Sequence, residues 1–402
     1  MLSFDTFSYF LDLLTGAAIV APIFWLVGNV GFRKFVLALL GAGLLWTIAP
    51  RLLLFYVVFW VVVWVMHQIV ERTSDKKAGA PTLTITVAVL LSALVVWRLA
   101  ETPFIINFNL QLNDALGLLP TRVSDVDLAR DIITPIGLSF AIFRAIDLLV
   151  QTNLGLIERR SLGDVMYTGL FPAIQVIGPV SEYSEIRLKD ERWPTGDRMS
   201  EAFLLIASGL VKVFILAHPL RQTVDVFGFF ESNTPLAIWS ELFLYAWFFY
   251  LNFSGYSDLA IGSARLFGVD LKKNFDWPYF ASGPQDFWNR WHMSLTRFAQ
   301  RNVFTPLGGM RANRQYVAVF ATIMVIALWH DISLSLIVFG LYHATGLIGQ
   351  RLIASRRAPS ENRIVRWAKT PLLFSFVMLS LPLLALELAD AADFYRAMIG
   401  VT

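Results

Sequence analysis

The sequence predicts an all-helical integral membrane protein, and two observations lead to that fold class. The 402 residues are 56% hydrophobic and only 16% charged, whereas a soluble domain carries about a quarter charged residues. Long apolar runs also recur along the whole chain, and a helix of about 20 such residues crosses a bilayer. Because we find no internal repeat and no low-complexity segment, we expect residues 1–402 to form a single multi-pass domain.

Apolar runs and one polar helix together predict about ten or eleven transmembrane or re-entrant helices. Segments 170–180 and 283–300 are expected to be re-entrant or interfacial, the first because it is short and the second because it is polar. The predicted segments are 9–27, 35–48, 52–69, 83–97, 132–150, 170–180, 202–217, 236–253, 283–300, the apolar stretch 317–353, and 372–386.

Basic residues predict the orientation, because short loops rich in lysine and arginine stay on the cytoplasmic side. Alternating the first four spans from these loops places the N-terminus outside. The last span follows the final basic cluster and places the C-terminus there too, and the mildly acidic tail after residue 386 is consistent with the rule. No basic stretch precedes segment 9–27, so we expect a first span rather than a cleaved signal. The residues expected in the cytoplasm are Arg33, Lys34, Arg72, Lys76, Lys77, Arg351, Arg356, Arg357, Arg363, Arg366 and Lys369.

Composition excludes several classes of function. The absence of cysteine excludes disulfides, thiol nucleophiles and cysteine-ligated zinc. A net charge of only +3 does not indicate a protein that binds nucleic acid. His292, His330, His343 and Asp331 have side chains that ligate metals, but no closely spaced histidine motif is present, so no metal is expected. The chain also lacks the Gly-x-Ser-x-Gly elbow of a serine hydrolase.

Functional residues are expected between positions 254 and 343, where polar groups interrupt the apolar pattern. Three of the five histidines lie here, and His292 and His330 each follow a tryptophan. His330 and Asp331 separate two apolar runs, 317–329 and 332–342, which places them at membrane depth. Ionisable groups are costly there, so a functional site is the default hypothesis.

The two tryptophan-linked histidines are the candidate catalytic residues. His330 suits a general base, because a neutral imidazole accepts a proton from a hydroxyl that attacks a carbonyl; the alternative is a histidine that packs between helices. His292 either orients the substrate, polarises the carbonyl, or is a satisfied polar residue. His343 is expected to pack.

The other candidates lie close to these histidines in sequence. Asp258 either lines a reaction chamber or caps a helix over 259–267, and Lys212 either snorkels or belongs to the site. Arg297, Arg301 and Arg311 suit the phosphates of an acyl donor, although basic residues at a membrane rim also serve topology. The residues expected to contact substrate are Tyr256, Ser257, Asp258, Asn274, Trp288, Arg290, Trp291, Trp329 and Asp331.

An ordered set of short motifs extends over residues 135–343. The motifs are P-x-G-x-S-F at 135–140, F-P at 171–172, G-P at 178–179, G-x-x-K at 209–212, Y-S-D-x-A-I-G at 256–262, F-G at 267–268, N-F-x-x-P-Y at 274–279, F-W-x-R-W-H-x-S-L at 287–295, P-L-G-G at 306–309, L-W-H at 328–330 and G-x-x-H at 340–343. Each motif is short, but their order along the chain is specific. In this order they resemble the membrane-bound O-acyltransferase (MBOAT) family, in particular its bacterial branch for alginate O-acetylation and teichoic-acid D-alanyl transfer.

The resemblance implies a helical wall around a central reaction chamber, an essential His330 and a second polar residue at His292. It also implies a cytoplasmic thioester donor, acyl-coenzyme A or an acyl-carrier protein, and an extracytoplasmic acyl-relay partner, with no bound cofactor. Asp331 stands where the family usually has glycine, which adds a carboxylate beside the expected base.

The sequence therefore predicts an O-acyltransferase of the bacterial inner membrane with both termini extracytoplasmic. It is expected to move an acyl group, acetyl or similar, to a hydroxyl of an exported polysaccharide, a cell-envelope polymer or a relay protein. Two alternatives remain open: acylation of a lipid or protein hydroxyl, and a non-catalytic transporter or scaffold for a lipid-linked intermediate. Paired inverted repeats would favour transport, and the sequence shows none.

Overall fold

The computed structural model describes residues 6–48, 50–74, 79–100, 137–188, 195–223, 234–311, 314–354 and 363–401. Helices make up 80% of the structure, and these residues contain no β-strand. Several positions singled out in the sequence lie outside the described residues: Lys76, Lys77, 132–136, Arg356 and Arg357.

Sixteen α-helices are numbered here along the described residues. The first seven are α1 Thr6–Leu26, α2 Val30–Ile48, α3 Pro50–Thr73, α4 Gly79–Ala100, α5 Leu138–Asn153, α6 Leu162–Gly169 and α7 Gly196–Leu210. A π-helical segment, Val211–Ala217, joins α7 to α8 His218–Thr223. The others are α9 Pro235–Leu266, α10 Pro284–Trp288, α11 Met293–Ala299, α12 Gln315–His330, α13 Leu334–Ala354, α14 Arg363–Met378, α15 Leu381–Ala385 and α16 Leu388–Met398.

Six helices of the described chain are long and apolar enough to cross a membrane, which confirms the predicted fold class. They are Ser8–Leu26, Val30–Ile48, Leu52–Thr73, Gly196–Thr223, Pro235–Leu266 and Leu334–Ala354. Three shorter apolar helices are Gly79–Val95, Gln315–His330 and Lys369–Ala385. The count of ten or eleven segments and the orientation of the termini stay predictions.

The chain divides into two compact units. The first comprises Met1–Phe203 with Ala260–Leu271, and the second comprises Leu204–Leu259 with Lys272–Thr402. Every candidate site residue named above falls in the second unit. The expectation of one acyltransferase domain over residues 1–402 stays a prediction.

In the first unit, α3 packs against its neighbours α2, α4, α5 and α6. Its Trp60 is fully buried, and Gly169 at the end of α6 lies so close that a Cβ there would overlap the Trp60 ring. The guanidinium of Arg144 lies 5.4 Å from the Trp60 ring centroid and donates a hydrogen bond to the Thr168 carbonyl at 2.9 Å. The small Gly169 and the hydrogen-bonded Arg144 thus allow close packing around Trp60.

Segment 170–180, expected to be a re-entrant or interfacial segment, is largely non-helical. It contains one 3-10 turn, Pro172–Ile174, and is otherwise irregular. Pro172 and Pro179 lack the amide hydrogens that a helix interior needs, and Gly178 has φ +135°. Because buried backbone needs partners, side chains take part: the Tyr9 hydroxyl donates to the Pro172 carbonyl.

In the second unit, α9 is longer than expected. The sequence predicts a break between 253 and 259, but α9 continues through Ser254, Gly255 and Asp258. A Cβ on Gly255 would lie 2.7 Å from Val213 Cγ2, and a Cβ on Gly209 would lie 2.7 Å from the Gly255 carbonyl. Gly255 therefore serves close helix packing, as small residues do in membranes, and the predicted cap at Asp258 is wrong.

The polar segment 283–300 is also not one continuous helix. It consists of α10, a left-handed break at His292, α11 and the start of a π-helical segment, Gln300–Phe304. The apolar stretch 317–353 likewise divides into α12 and α13, because Asp331 adopts an extended conformation with φ −167°. Both breaks fall at a candidate site residue.

Helix α2 allows a direct test of this packing. A Cβ at Gly41 would overlap the carbonyl oxygen of Leu170, whereas nothing lies within 4 Å of a Cβ at Gly43. We expect Gly41→Ala to destabilise the protein by about 1–3 kcal/mol, as overpacking does. Gly43→Ala, on the same helix, should leave the melting temperature in detergent unchanged or slightly raised. Equal melting temperatures for the two variants would contradict this packing.

Candidate active site

The site is built where two loops of the second unit run side by side. The amide of Asp276 donates to the Arg290 carbonyl at 2.9 Å, and the amide of Met293 donates to the Asn274 carbonyl at 2.8 Å. Trp277 and His292 are the non-glycine residues with positive φ in the described chain, at +47° and +42°. Such conformations cost about 1–3 kcal/mol each and persist only where the surroundings enforce them.

Asn274 is the centre of the polar network at this junction. Its side chain is 1% exposed. Its Nδ2 donates to Ser257 Oγ at 3.0 Å, and its Oδ1 accepts from the Ser294 amide at 3.1 Å and hydroxyl at 2.8 Å. His292 Nδ1 lies 3.2 Å from the same Oδ1. The Asn274 carboxamide therefore joins its own loop to α9, through Ser257, and to the start of α11, through His292 and Ser294.

The His292 imidazole is enclosed by aromatic rings. The side chain is 1% exposed, with the Phe253 ring centroid at 4.8 Å and that of Trp329 at 6.0 Å. Burial, together with smaller contributions from the charges of His330 and Arg297, lowers the pKa of His292 to about 3. The ring is therefore neutral at physiological pH.

His330 is the last residue of α12 and is partly exposed. Its ring centroid lies 4.5 Å from that of Trp329, whose ring also contacts His292. The structure thus brings the two candidate catalytic histidines to the same tryptophan from segments far apart in sequence. Asp331 is exposed, and its Oδ1 accepts the Ile332 amide at 2.8 Å.

Arg290 forms an ion pair inside the loop junction. Its Nε donates to Asp286 Oδ1 at 2.7 Å, and Ser282 donates to the other carboxylate oxygen at 2.9 Å from its amide. Burial alone would raise the pKa of Asp286, but the hydrogen bonds from Arg290 and Ser282 lower it below its ordinary value. The amide and the hydroxyl of Ser282 thus both bond to Asp286.

Trp291 and Trp288 each pack against other rings near the site. Trp291 stacks on Phe249 at 5.4 Å and Phe287 at 5.7 Å. Trp288 meets His343 edge to face at 5.4 Å. His343 is buried, and its Nε2 lies 2.9 Å from Ser380 Oγ. This environment agrees with the expected packing role of His343.

On α9, neighbouring residues serve different faces of the helix. Ser257 is buried and accepts the bond from Asn274, whereas Asp258 Oδ2 pairs with Lys212 Nζ at 2.6 Å and accepts from Ser208 Oγ at 2.9 Å. Tyr256 is partly buried. Lys212 thus has a carboxylate partner in an apolar run, on the π-helical segment that follows α7.

A pocket adjoins the site along α12. It contains about 500 Å³ of space not filled by atoms, part of it open to the surface. Ile323 and Ile326 of α12 form an apolar wall, and Ile326 precedes His330 by one helical turn. The lining also includes polar side chains from other segments: Gln285, Asn289, Thr296, Gln300 and Arg351. Arg351 Nη2 donates to Gln285 Oε1 at 3.0 Å.

A second, open depression shares Gln300 and Phe304 with this pocket. Its floor is the loop over 305–311, which ends in Arg311. Gly308 and Gly309 have φ +112° and +58° there, so the Gly-Gly pair provides conformations that other residues rarely adopt. Of the three arginines considered for phosphate binding, Arg311 lines this depression.

Two contacts of the candidate site were not predicted from the sequence. Ser294 was not singled out as a partner of Asn274, and Lys212 was not paired with Asp258. The Asn274–Ser294 bond joins residues 20 positions apart and the Lys212–Asp258 pair joins residues 46 apart. No local spacing rule connects such positions.

Comparison with known proteins gives a consistent picture. The model of MBOAT, the membrane-bound O-acyltransferase family, matches residues 169–385, which includes all the candidate site residues. A probable alginate O-acetylase of Pseudomonas syringae pv. tomato is 28% identical over 264 residues, 64% of this chain and 50% of the relative. A peptidoglycan O-acetyltransferase of Helicobacter pylori is 29% identical over 251 residues, which cover 59% of this chain and 46% of the relative.

A third relative is a teichoic acid D-alanyltransferase of Streptococcus thermophilus, 27% identical over 235 residues, 53% of this chain and 56% of the relative. The chain thus spans about half the length of the curated relatives it matches. Because the family model covers residues 169–385 of 402, more than half of the sequence, the chain belongs to the membrane-bound O-acyltransferase family.

Proposed function

We propose that this protein transfers an acyl group from a cytoplasmic thioester to a hydroxyl of an exported polysaccharide or cell-envelope polymer, directly or through an extracytoplasmic relay protein. The observation that carries the proposal is the meeting of His292 and His330 at the Trp329 ring. Family membership supplies the reaction class, and the three relatives are named for alginate, peptidoglycan and teichoic acid.

His330 is proposed as the general base. Its neutral imidazole accepts the proton of the acceptor hydroxyl as that oxygen attacks the thioester carbonyl carbon. The tetrahedral intermediate then expels the thiolate, which takes the proton from His330 and leaves as free thiol. The new ester forms as the thioester bond breaks, and no proton is gained or lost overall. Holding both reactants in one site supplies much of the rate.

The pocket along α12 is the proposed path of the thioester donor. Its polar side chains suit an amide-containing arm, and its apolar wall, Ile323 and Ile326, lies on the face of α12 that carries His330. Arg351 at the pocket belongs to the basic cluster expected in the cytoplasm, where acyl-coenzyme A and acyl-carrier proteins occur. Arg311 in the adjoining depression offers a charge for the donor phosphate.

The setting that fits this chemistry is a bacterial inner membrane with both termini extracytoplasmic. The donor then approaches from the cytoplasm and the acceptor from the other side, so the acyl group crosses the membrane within the protein. Trp288, lining the donor pocket, and Trp329, between the histidines, are proposed to touch substrate. Tyr256, which is partly exposed, and Asp331, which is exposed, are further proposed substrate contacts.

Removing His330 tests the reaction class. We expect His330→Ala to lower turnover by about 10²–10⁴-fold, the usual contribution of a general base, with folding intact. The measurement is release of free thiol from acetyl-coenzyme A and from acyl-carrier thioesters by protein in liposomes. His218→Ala is the matched control, because His218 is exposed and contacts Gln222 outside the site. Near-normal turnover by folded His330→Ala would refute the assignment.

Narrowing the pocket tests the donor path. Ile323 is 4% exposed and lines the pocket, whereas Val325 on the same helix is 41% exposed. We expect Ile323→Phe to raise the KM of the thioester donor by about tenfold, the effect of about 1.4 kcal/mol of lost binding energy. Val325→Phe should leave the donor KM unchanged. A donor that binds elsewhere would give equal KM values for both variants.

A further inference from the structure

The hydrogen bonds around Asn274 identify each of its amide atoms. A backbone N–H only donates, so the atom that lies 3.1 Å from the Ser294 amide is the carbonyl oxygen Oδ1. The other terminal atom is then Nδ2, which donates to Ser257 Oγ at 3.0 Å. The amide orientation therefore follows from the network, as it must when hydrogens are not observed.

That orientation determines which nitrogen of His292 carries the hydrogen. His292 Nδ1 lies 3.2 Å from Asn274 Oδ1, and two acceptors at that distance would repel each other. The Ser294 hydroxyl donates to Oδ1 at 2.8 Å and lies 3.4 Å from Nδ1, so its hydrogen is already used. Nδ1 is therefore the donor, and in a neutral imidazole Nε2 then carries a bare lone pair.

Nε2 of His292 is buried and has no hydrogen-bond partner among the described residues. Buried polar atoms are normally bonded, so an unpartnered one calls for an explanation. The atom sits in a ring that is 1% exposed, beside the Trp329 ring that also contacts His330. A bound substrate group that donates a hydrogen bond would satisfy it.

On the basis of the function proposed above, we propose that Asn274 is a positioning residue that holds His292 in the tautomer with hydrogen on Nδ1, so that Nε2 binds substrate by accepting a hydrogen bond from an O–H or N–H group. A lone pair does not polarise the thioester carbonyl, which needs a donor. Of the two catalytic roles considered for His292, the structure thus favours orienting the substrate and leaves proton removal to His330.

A contact with α9 also holds the Asn274 side chain in this orientation. Ser257 accepts the Asn274 Nδ2 bond, and the next residue, Asp258, is held by Lys212 at 2.6 Å and Ser208 at 2.9 Å. These bonds oppose rotation of α9 about its axis and so keep Ser257 facing Asn274. They explain why a carboxylate–lysine pair is maintained beside the site in an apolar environment, where it is costly to bury.

Nitrogen NMR on protein labelled with ¹⁵N and ¹³C histidine in bilayers tests the tautomer directly. His292→Asn identifies the His292 signals by their loss, and asparagine tolerates the left-handed backbone. We expect hydrogen on Nδ1, the nitrogen bonded to Cγ, and none on Nε2. Asn274→Leu should give both tautomers, and Asn302→Leu, whose amide bonds only to the Phe298 carbonyl in the described chain, should give the wild-type spectrum. Hydrogen on Nε2 of the wild type would overturn the proposal.

Steady-state kinetics then separates positioning from scaffolding. Asn274→Leu should raise the KM of the substrate that His292 binds by about fivefold to tenfold, the loss of one hydrogen bond. A rise for the acceptor identifies a hydroxyl, and a rise for the thioester identifies an amide of its arm. A fall in kcat with both KM values unchanged would instead indicate carbonyl polarisation and would refute the inference.

Titration of Asn274→Asp gives a second NMR readout. The carboxylate still accepts from Nδ1–H, so the tautomer is kept, but its negative charge favours the protonated imidazole and raises the pKa of His292. The other charges that bear on this ring, His330 and Arg297, both lower its pKa. The nitrogen signals of His292 should therefore change at a higher pH than in wild type. Signals that change at the wild-type pH would count against the proposal.

Failure of the proposed reaction and failure of the proposed tautomer give different results. If wild-type protein releases no thiol from any donor, the proposed reaction fails, while the NMR spectrum still decides the tautomer. If the spectrum shows hydrogen on Nε2 while thiol release depends on His330, the tautomer fails and the reaction stands. Wild-type elution of each variant from a gel-filtration column establishes that it folds.

Discussion

The need to satisfy buried polar groups governs the architecture of the second unit. The Asn274 carboxamide bonds to Ser257 on α9, to Ser294 on α11 and to the His292 ring. An unsatisfied amide in an apolar interior costs several kcal/mol, so α9, α11 and the segment that carries Asn274 gain stability by meeting at one point. That gain supports the positive φ of His292 at the start of α11.

Charged groups near the site follow the same rule. Arg290 pairs with Asp286, and Lys212 pairs with Asp258, in each case with a further hydroxyl or amide hydrogen bond to the carboxylate. A buried ion pair rarely adds net stability, but removing one partner leaves an uncompensated charge. These pairs are therefore best understood as devices that hold loops and helices in register around the histidines.

The aromatic groups give the site its third property, a low-dielectric surrounding for the His292 imidazole. Phe253 and Trp329 contact His292, and Trp329 also contacts His330. Burial, together with the charges of His330 and Arg297, lowers the pKa of His292 to about 3, which keeps the ring neutral. A neutral, oriented histidine beside a partly exposed one is an arrangement suited to binding one substrate while deprotonating another.

The sequence alone determined the membrane class and the family, because apolar composition and ordered motifs are local properties of the chain. It also singled out His292, His330 and the loop residues around them as candidates. Only the tertiary structure decided that Asn274 bonds to His292, that Asp258 pairs with Lys212 inside one long helix, and that the polar segment breaks at His292. These depend on contacts between residues 18 to 46 positions apart, and helical periodicity carries no information at that separation.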